Sequence, residues 1–420
     1  MFKFIHAADI HLDSPLHKLD SYEGAPVDGL RLATRRAFEN LVQIAISEKV
    51  SFVLIAGDLY DGDWKDYNTG LYLVSQTRKL READIPVYIV AGNHDAASKI
   101  TKTLRFPENV KLFPAEKPST FRVDKIDVAI HGQSFVSPAV KKDLSIKYPF
   151  AIEGCFNIGM LHTCVTGSEE HEHYAPCTID GLRSKGYNYW ALGHVHKLER
   201  LLEDPLVVFP GNIQGRYFRE TGPKGCVLVS VDDNYHIEWE FKALDVIRWI
   251  ILNVDASDSD NGYDVVDQFK KQLTVNIDEN EGIPLVTRVV VKGETKAHDE
   301  FVYNAEQWIN EIRSAALDVG GGLVWVEKVK FCTNLPVSEK DFKSSDGAIG
   351  ELLNVLDELY ADADGLQGLA EVLADLEIKL PRELKEGADG LMFKDPEWLK
   401  SMLDQVRPIL LRRLIHKEKF

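Results

Sequence analysis

In the N-terminal half of the chain the hydrophobic positions fall into short continuous runs that stop abruptly at polar residues. Phe4-Ile5-His6-Ala7-Ala8 stops at Asp9-Ile10-His11, and Phe52-Val53-Leu54-Ile55-Ala56 stops at Gly57-Asp58. Val87-Tyr88-Ile89-Val90-Ala91 stops at Gly92-Asn93-His94-Asp95. Ile158-Gly159-Met160-Leu161 stops at His162, and Tyr189-Trp190-Ala191-Leu192 stops at Gly193-His194-Val195-His196. Continuous apolar runs of this length predict strands buried on both faces, as in an α/β sheet. Between the first two runs, Leu30 to Lys49 carries Leu32, Phe38, Leu41, Val42, Ala45 and Ile46 on one helical stripe. Leu71 to Leu80 fits a second helix, and Asn109 to Phe113 and Val128 to Ile130 fit further short strands. From Phe209 the texture becomes all-β: Gly225 to Val231, a turn at Asp232-Asp233-Asn234, then Ile237 to Phe241 predict an antiparallel pair. It would close a first domain of residues 1–242.

The pattern then restarts. Strand, helix, strand, helix, strand are predicted at Trp249–Val254, Val265–Leu273, Leu285–Lys292, Glu306–Leu317 and Leu323–Phe331, a small α/β unit over 243–336. Gly320-Gly321-Gly322 precedes a strand; phosphate loops place their glycines before a helix, so this run is expected to be a turn. The remainder, 337–420, carries apolar residues at helical spacing, such as Ile349, Leu352, Leu353, Leu356 and Leu359. These stripes are expected to pack against the chain's own core, with docking of a partner protein as the alternative.

Length and charge bound this picture. The 420 residues exceed one hydrophobic core, and 45% apolar with 27% charged residues is ordinary for a soluble globular protein. No run approaches the roughly 18 apolar residues that span a bilayer. Met1-Phe2-Lys3 leads straight into a strand rather than a signal peptide, so a cytoplasmic protein without membrane association is expected. The five cysteines form no CxxC pair and are expected to be free thiols in a reducing compartment. A net charge of -17 argues against a surface that wraps nucleic acid throughout. It leaves room for a local positive hole made by divalent cations.

The chemistry lies where the runs stop. Open α/β sheets place their sites beyond the carboxyl ends of the strands, so five strand ends rich in Asp, Asn and His predict one shared metal site. Asp9 and His11 stand two apart on an extended segment, as do His194 and His196. Asp58 is the natural bridging carboxylate, because its two oxygens can hold two cations. Asn93 offers an amide oxygen and His162 an imidazole. This mixture without thiolate suits manganese, iron or zinc better than calcium or a structural zinc finger. Two such ions would clamp the oxygens of a phosphoryl displacement and lower the pKa of a water.

The set Asp-x-His, Gly-Asp, Gly-Asn-His-Asp, His and Gly-His-x-His resembles the calcineurin-like metallophosphoesterase superfamily over residues 1 to about 220. The opening Phe4 to Leu16 and the stretch Pro210-Gly211-Asn212-Ile213-Gln214-Gly215-Arg216 are similar to the bacterial YhaO and SbcD-type DNA-repair exonuclease family. The resemblance implies a two-sheet metallophosphoesterase sandwich flanked by helices, with a small α/β cap domain and a helical C-terminal segment. It implies Asp9, His11, Asp58 and His196 around one metal, and Asp58, Asn93, His162 and His194 around the other, manganese being the first choice. His94 would protonate the leaving oxygen. The family usually pairs with an SMC-like coiled-coil ATPase, and a homodimer is compatible with the sequence. One departure stands out: SbcD-type nucleases usually carry a histidine three residues after the bridging aspartate, where this chain has Asp61. A carboxylate on one ring nitrogen of His94 would fix its tautomer and favour its protonated form.

Other candidates are weaker. His171 and His173 flank Glu172 in what reads as a solvated loop; His131 and His6 read as packed histidines. Arg216 is a candidate substrate contact, with Arg219, Arg35 and Arg36 behind it. The leading expectation is a two-metal phosphodiesterase acting on DNA. A phosphatase or diesterase for small nucleotides, to which Asp61 and the acidic charge lend weight, is the alternative within enzymes. A scaffold subunit with a vestigial site is the alternative outside them.

Overall fold

The computed structural model describes residues 1–14, 27–61, 67–97, 105–165, 175–336, 348–361, 363–380 and 391–417. His171 and His173 lie outside them. By contact the chain divides into two units.

The first unit comprises Met1–Leu252, Gln272–Val289 and Arg313–Lys328. It is built on two six-stranded mixed sheets. In one, β1 (Phe2–Ala7), β2 (Phe52–Ala56), β3 (Val87–Val90) and β4 (Val110–Leu112) run parallel. Next to β1 come β11 (Gly225–Val231) and then β12 (Ile237–Ala243), each antiparallel to its neighbour. In the other, β6 (Val128–Gly132), β7 (Phe156–His162), β8 (Tyr189–Gly193) and β10 (Leu206–Phe209) are parallel. Its two outer strands, β5 (Ser119–Val123) and β9 (Glu199–Glu203), are antiparallel.

Alternation along each buried strand explains why the runs are apolar on both faces with so few interruptions. Phe4, Phe52, Leu54, Tyr88 and Val90 turn one way and meet Ile130, Phe156, Ile158, Tyr189 and Val208 of the second sheet, forming the core between the sheets. Ile5, Val53, Ile55 and Ile89 turn the other way, against Phe38, Leu41, Val42 and Leu73. Those four belong to α1 (Val27–Ser47) and α2 (Tyr67–Glu82), the helices that cover the first sheet. Trp190, Leu192 and Leu161 on the far face of the second sheet are buried with Tyr148, Tyr187 and Leu182. A strand covered on both faces has no position that solvent would select as polar.

Two histidines complete these layers. His6 is fully buried, with Nδ1 2.9 Å from the Tyr189 hydroxyl and Nε2 3.1 Å from the Leu192 carbonyl oxygen. His131 stacks on Tyr187 and meets Thr120 and Asn157, so both are core residues.

The third sheet has the order β13 (Arg248–Asp255), β14 (Leu285–Glu294), β15 (Val324–Asn334). The associated helices are α5 (Gly262–Glu279), α6 (His298–Tyr303) and α7 (Ala305–Gly320), after α3 (Asn93–Ala97) and α4 (Ile179–Arg183) in the first half. Gly321 and Gly322 take positive φ of 53° and 87° in the turn between α7 and β15. The second unit comprises Asn253–Lys271, Val290–Ile312 and Val329–Phe420. Within it, Phe301 stacks on Phe331 and Trp308 packs edge-on against Phe301 and Tyr263. Three helices, α8 (Ala348–Ala361), α9 (Ala363–Lys379) and α10 (Pro396–Lys417), pack on one another. No helix among the described residues is long and apolar enough to cross a membrane.

Candidate metal centre

The polar residues that stop the five runs follow or end strands lying parallel within their sheets: β1, β2 and β3 in one, β7 and β8 in the other. The two carboxyl edges approach closely enough that a Cβ on Gly193 would run into the Ala56 carbonyl oxygen. Beyond the strands the backbone turns tightly. Asp9, His11 and Asp58 hold φ of 50°, 45° and 50°, and His194 holds 110°. Left-handed backbone costs a non-glycine residue of order 1–3 kcal/mol, and such outliers cluster at functional sites.

That backbone aims the side chains at one another. The His194 N–H donates to Asp9 Oδ2 at 2.9 Å, and the His94 N–H donates to Asp58 Oδ1 at 3.0 Å. Asp58 Oδ2 is left facing His162 Nε2 at 3.4 Å and His11 Nε2 at 4.0 Å. Asp9 Oδ1 lies 3.8 Å from His196 Nε2. Ligand atoms of Asp9, His11 and His196 lie within 4.8 Å of one another, and so do those of Asp9, Asp58 and His162. Asn93 Oδ1 joins the second group, 3.0 Å from His162 Nε2. His194 belongs to neither group among the described residues; its ring stands 5.2 Å from that of His162, centroid to centroid.

The donor set fits cations. His162 turns Nδ1 to the Ala56 carbonyl oxygen at 3.0 Å, and His196 turns Nδ1 to Glu220 Oε1 at 2.7 Å. Each bond places the proton on Nδ1 and leaves Nε2 with a lone pair. The His162 lone pair then faces the oxygens of Asn93 and Asp58, and that of His196 faces His11 Nε2 at 3.3 Å. Burial and the nearby Asp58 charge push Asp9 well above the usual carboxylate range. Asp58 is held below it despite burial, by His162, His11 and His94. Burial lowers His11 to about 3, so it stays neutral as a ligand must. Converging lone pairs and two buried carboxylates make an arrangement that positive charge stabilises.

Beside these groups stands His94, whose side chain is 40% exposed. Its Nδ1 lies 3.0 Å from Asp61 Oδ1, which also faces His11 Nδ1 at 3.4 Å. The Ser14 hydroxyl donates to Asp61 Oδ2. The bond to Asp61 raises the pKa of His94 against the opposing effect of burial. The adjacent Asp95 does something else: it accepts the backbone N–H groups of Gly92, Leu59 and Tyr60 and so pins two strand ends together.

Arg216 is nearly buried. Its Nη2 donates to Glu220 Oε1 at 2.9 Å, and its Nη1 lies 3.7 Å from Asp61 Oδ2. Arg35 is used elsewhere, gripping Asp13. Glu220 is the residue that sequence reasoning passes over. Its one signal there is the spacing of four from Arg216, which is common on surfaces and says nothing about a buried histidine partner.

Two family models match the chain: calcineurin-like phosphoesterase over residues 2–198 and metallophosphoesterase YhaO, middle domain, over 249–334. The uncharacterized metallophosphoesterase YhaO of Bacillus subtilis is 34% identical over 322 residues, which are 75% of this chain and 75% of that one. The DNA double-strand break repair protein Mre11 of Sulfurisphaera tokodaii is 29% identical over 201 residues, 46% of this chain and about half (49%) of that protein. Among solved structures, a dimetal phosphatase from Danio rerio is similar at 12% identity and a TM-score of 0.36, over 58% of this chain and 96% of its own. With both halves of the YhaO pattern in order and one relative matched along three quarters of its length, the chain belongs to the calcineurin-like metallophosphoesterases of the YhaO type.

Proposed function

We propose that this metallophosphoesterase is a two-metal phosphodiesterase acting on DNA, a nuclease of the SbcD/YhaO kind. The observation that carries the chemistry is one oxygen: Asp58 Oδ2 faces His11 on one side and His162 on the other, with His94 beside them. Asp9, His11, Asp58 and His196 would hold one ion, and Asp58, Asn93, His162 and His194 the other. When bound, such ions supply positive charge against the phosphoryl oxygens and lower the pKa of an attacking water; manganese suits this oxygen and nitrogen set. His94 carries a proton on its outer nitrogen while Asp61 holds the inner one, and delivers it to the leaving oxygen. Arg216 would meet a phosphate oxygen from the Asp61 side.

DNA as substrate is supported by the similarity to Mre11 proteins, which are named for double-strand break repair. The exposed Val372 and Leu376, one turn apart on one face of Ala363–Lys379, support docking of a coiled-coil ATPase on the C-terminal helices. A second reading, hydrolysis of small nucleotides, is favoured by Asp61 and the net charge of -17. Linear and plasmid DNA, cyclic nucleotides and a chromogenic diester, each with manganese, separate the two. DNA cleavage that disappears in His94→Ala supports the nuclease; turnover of small esters alone rejects it.

A further inference from the structure

Glu220 sits outside every ligand group yet touches both sides of the centre. Its Oε1 accepts from His196 Nδ1 at 2.7 Å and from Arg216 Nη2 at 2.9 Å. Its Oε2 accepts from the Arg216 backbone N–H at 2.8 Å and from Asn212 Nδ2 at 2.9 Å. The carboxylate is buried, with 3% of its side chain exposed. With Arg216 Nε also 3.4 Å from Oε2, both oxygens are occupied by donors from one loop and one candidate ligand. The held Arg216 in turn places Nη1 3.4 Å from Ser14 Oγ and 3.7 Å from Asp61 Oδ2, the carboxylate that holds His94. Lys224 secures the same histidine from behind, donating from Nζ to the His196 carbonyl oxygen at 2.7 Å.

We propose that Glu220 is a positioning residue that fixes the His196 ring as a metal ligand and, through Arg216, joins it to the Asp61–His94 pair. This rests on the two-metal reading of the site. A carboxylate on Nδ1 fixes which nitrogen carries the proton, orients the ring and raises the basicity of Nε2. Nothing in Glu220 reaches a reacting atom; its influence passes through His196 and Arg216. With Gln at this position the amide oxygen can still accept, but it carries no charge, and the amide N–H groups would face donors that a carboxylate oxygen now receives.

The test is a Mn2+ titration of the full chain, followed by the electron paramagnetic resonance of free Mn2+, for wild type, E220Q, H196A and E220Q/H196A. Circular dichroism checks that each is folded. E220Q is expected to bind one of two ions about 10–100-fold more weakly and to leave the other unchanged. The double variant should bind no worse than H196A, since both changes act through one ring. Raised Mn2+ should restore most of the chromogenic diester turnover of E220Q, whereas a loss from general misfolding would not respond. Wild type that takes up fewer than two ions overturns the two-metal reading and this inference with it. Wild type that takes up two, with E220Q matching it, overturns the role of Glu220 alone, whatever the natural substrate is.

Discussion

Asp61 Oδ1 lies 3.0 Å from His94 Nδ1, although the two residues follow different strands. The contact places a carboxylate against the inner nitrogen of a histidine whose other edge reaches solvent, the geometry of a proton donor with a fixed tautomer. Because the bond to Asp61 raises the pKa of His94, the histidine keeps its proton to higher pH than it would alone. A donor works only while protonated, so hydrolysis should decline as pH rises through that pKa.

Asp61→Asn removes the charge that holds the proton. The alkaline limb of the pH profile of kcat/KM is expected to move to lower pH, and His94→Ala should cost roughly 10²–10⁴-fold in kcat, the usual worth of a general acid. Profiles measured on a chromogenic diester check both. An unmoved alkaline limb in Asp61→Asn would remove Asp61 from the mechanism.

Metal removal should be visible without any substrate. Asp58 Oδ2 stands between His11 and His162, and Asp9 is pushed up partly by the Asp58 charge. Bound cations relieve that repulsion. With each ion present at 100 times its Kd, chelation is expected to lower stability by about 2.7 kcal/mol per ion removed. Asp58→Asn should be insensitive to chelator. Thermal unfolding with and without chelator decides; a wild-type Tm that ignores the chelator contradicts the assignment.

Much of this centre was legible because a strand covered on both faces leaves a plain mark. The strands ending at Ala7, Ala56, Val90, His162 and Gly193 are mostly apolar and buried, and a ligand follows or ends each one. Asp61 stood out by departing from the pattern the rest of the motif set. Glu220 left no such mark. It lies in a loop, and its partner His196 is brought to it only by the fold. The edge strands Ser119–Val123 and Glu199–Glu203 were equally silent, since one covered face or none leaves a mixed sequence.

Acid should destabilise the fold through a residue outside the site. His6 is buried between the sheets, and burial lowers its pKa from 6.5 to about 3. Above pH 6.5 it is neutral whether folded or unfolded and contributes no pH dependence. As pH falls from 6.5 towards 3, the unfolded chain takes up a proton that the folded one refuses, so stability is lost across that window. At pH 5 the loss should be about 2 kcal/mol from this group. Urea unfolding at pH 7 and pH 5, compared with His6→Gln, isolates it: the variant should lose that much less between the two pH values. Equal losses in both proteins would mean that other groups carry the acid sensitivity.

Gly193 allows the site's geometry to be changed without changing its ligands. At Gly193 an added Cβ would meet the Ala56 carbonyl oxygen and crowd Ala8, so the edges of the two sheets must part. His194 and His196 follow Gly193 directly, whereas Asp58 follows Ala56. Parting these edges moves one half of the ligand set from the other while every ligand stays in place along the chain. Gly193→Ala should therefore lose stability by about 1–3 kcal/mol, as overpacked positions do, and lose metal binding beyond what that destabilisation explains. Gly368→Ala is the matched control: no atom lies within 4 Å of its added Cβ, and the residue sits inside the helix Ala363–Lys379. There alanine should stabilise by about 0.5–1 kcal/mol and leave metal binding alone. Mn2+ titration beside chemical denaturation measures both quantities. A folded Gly193→Ala protein that binds two ions as the wild type does would show that the site tolerates a shift between its sheets, and that the close approach of their edges serves packing alone.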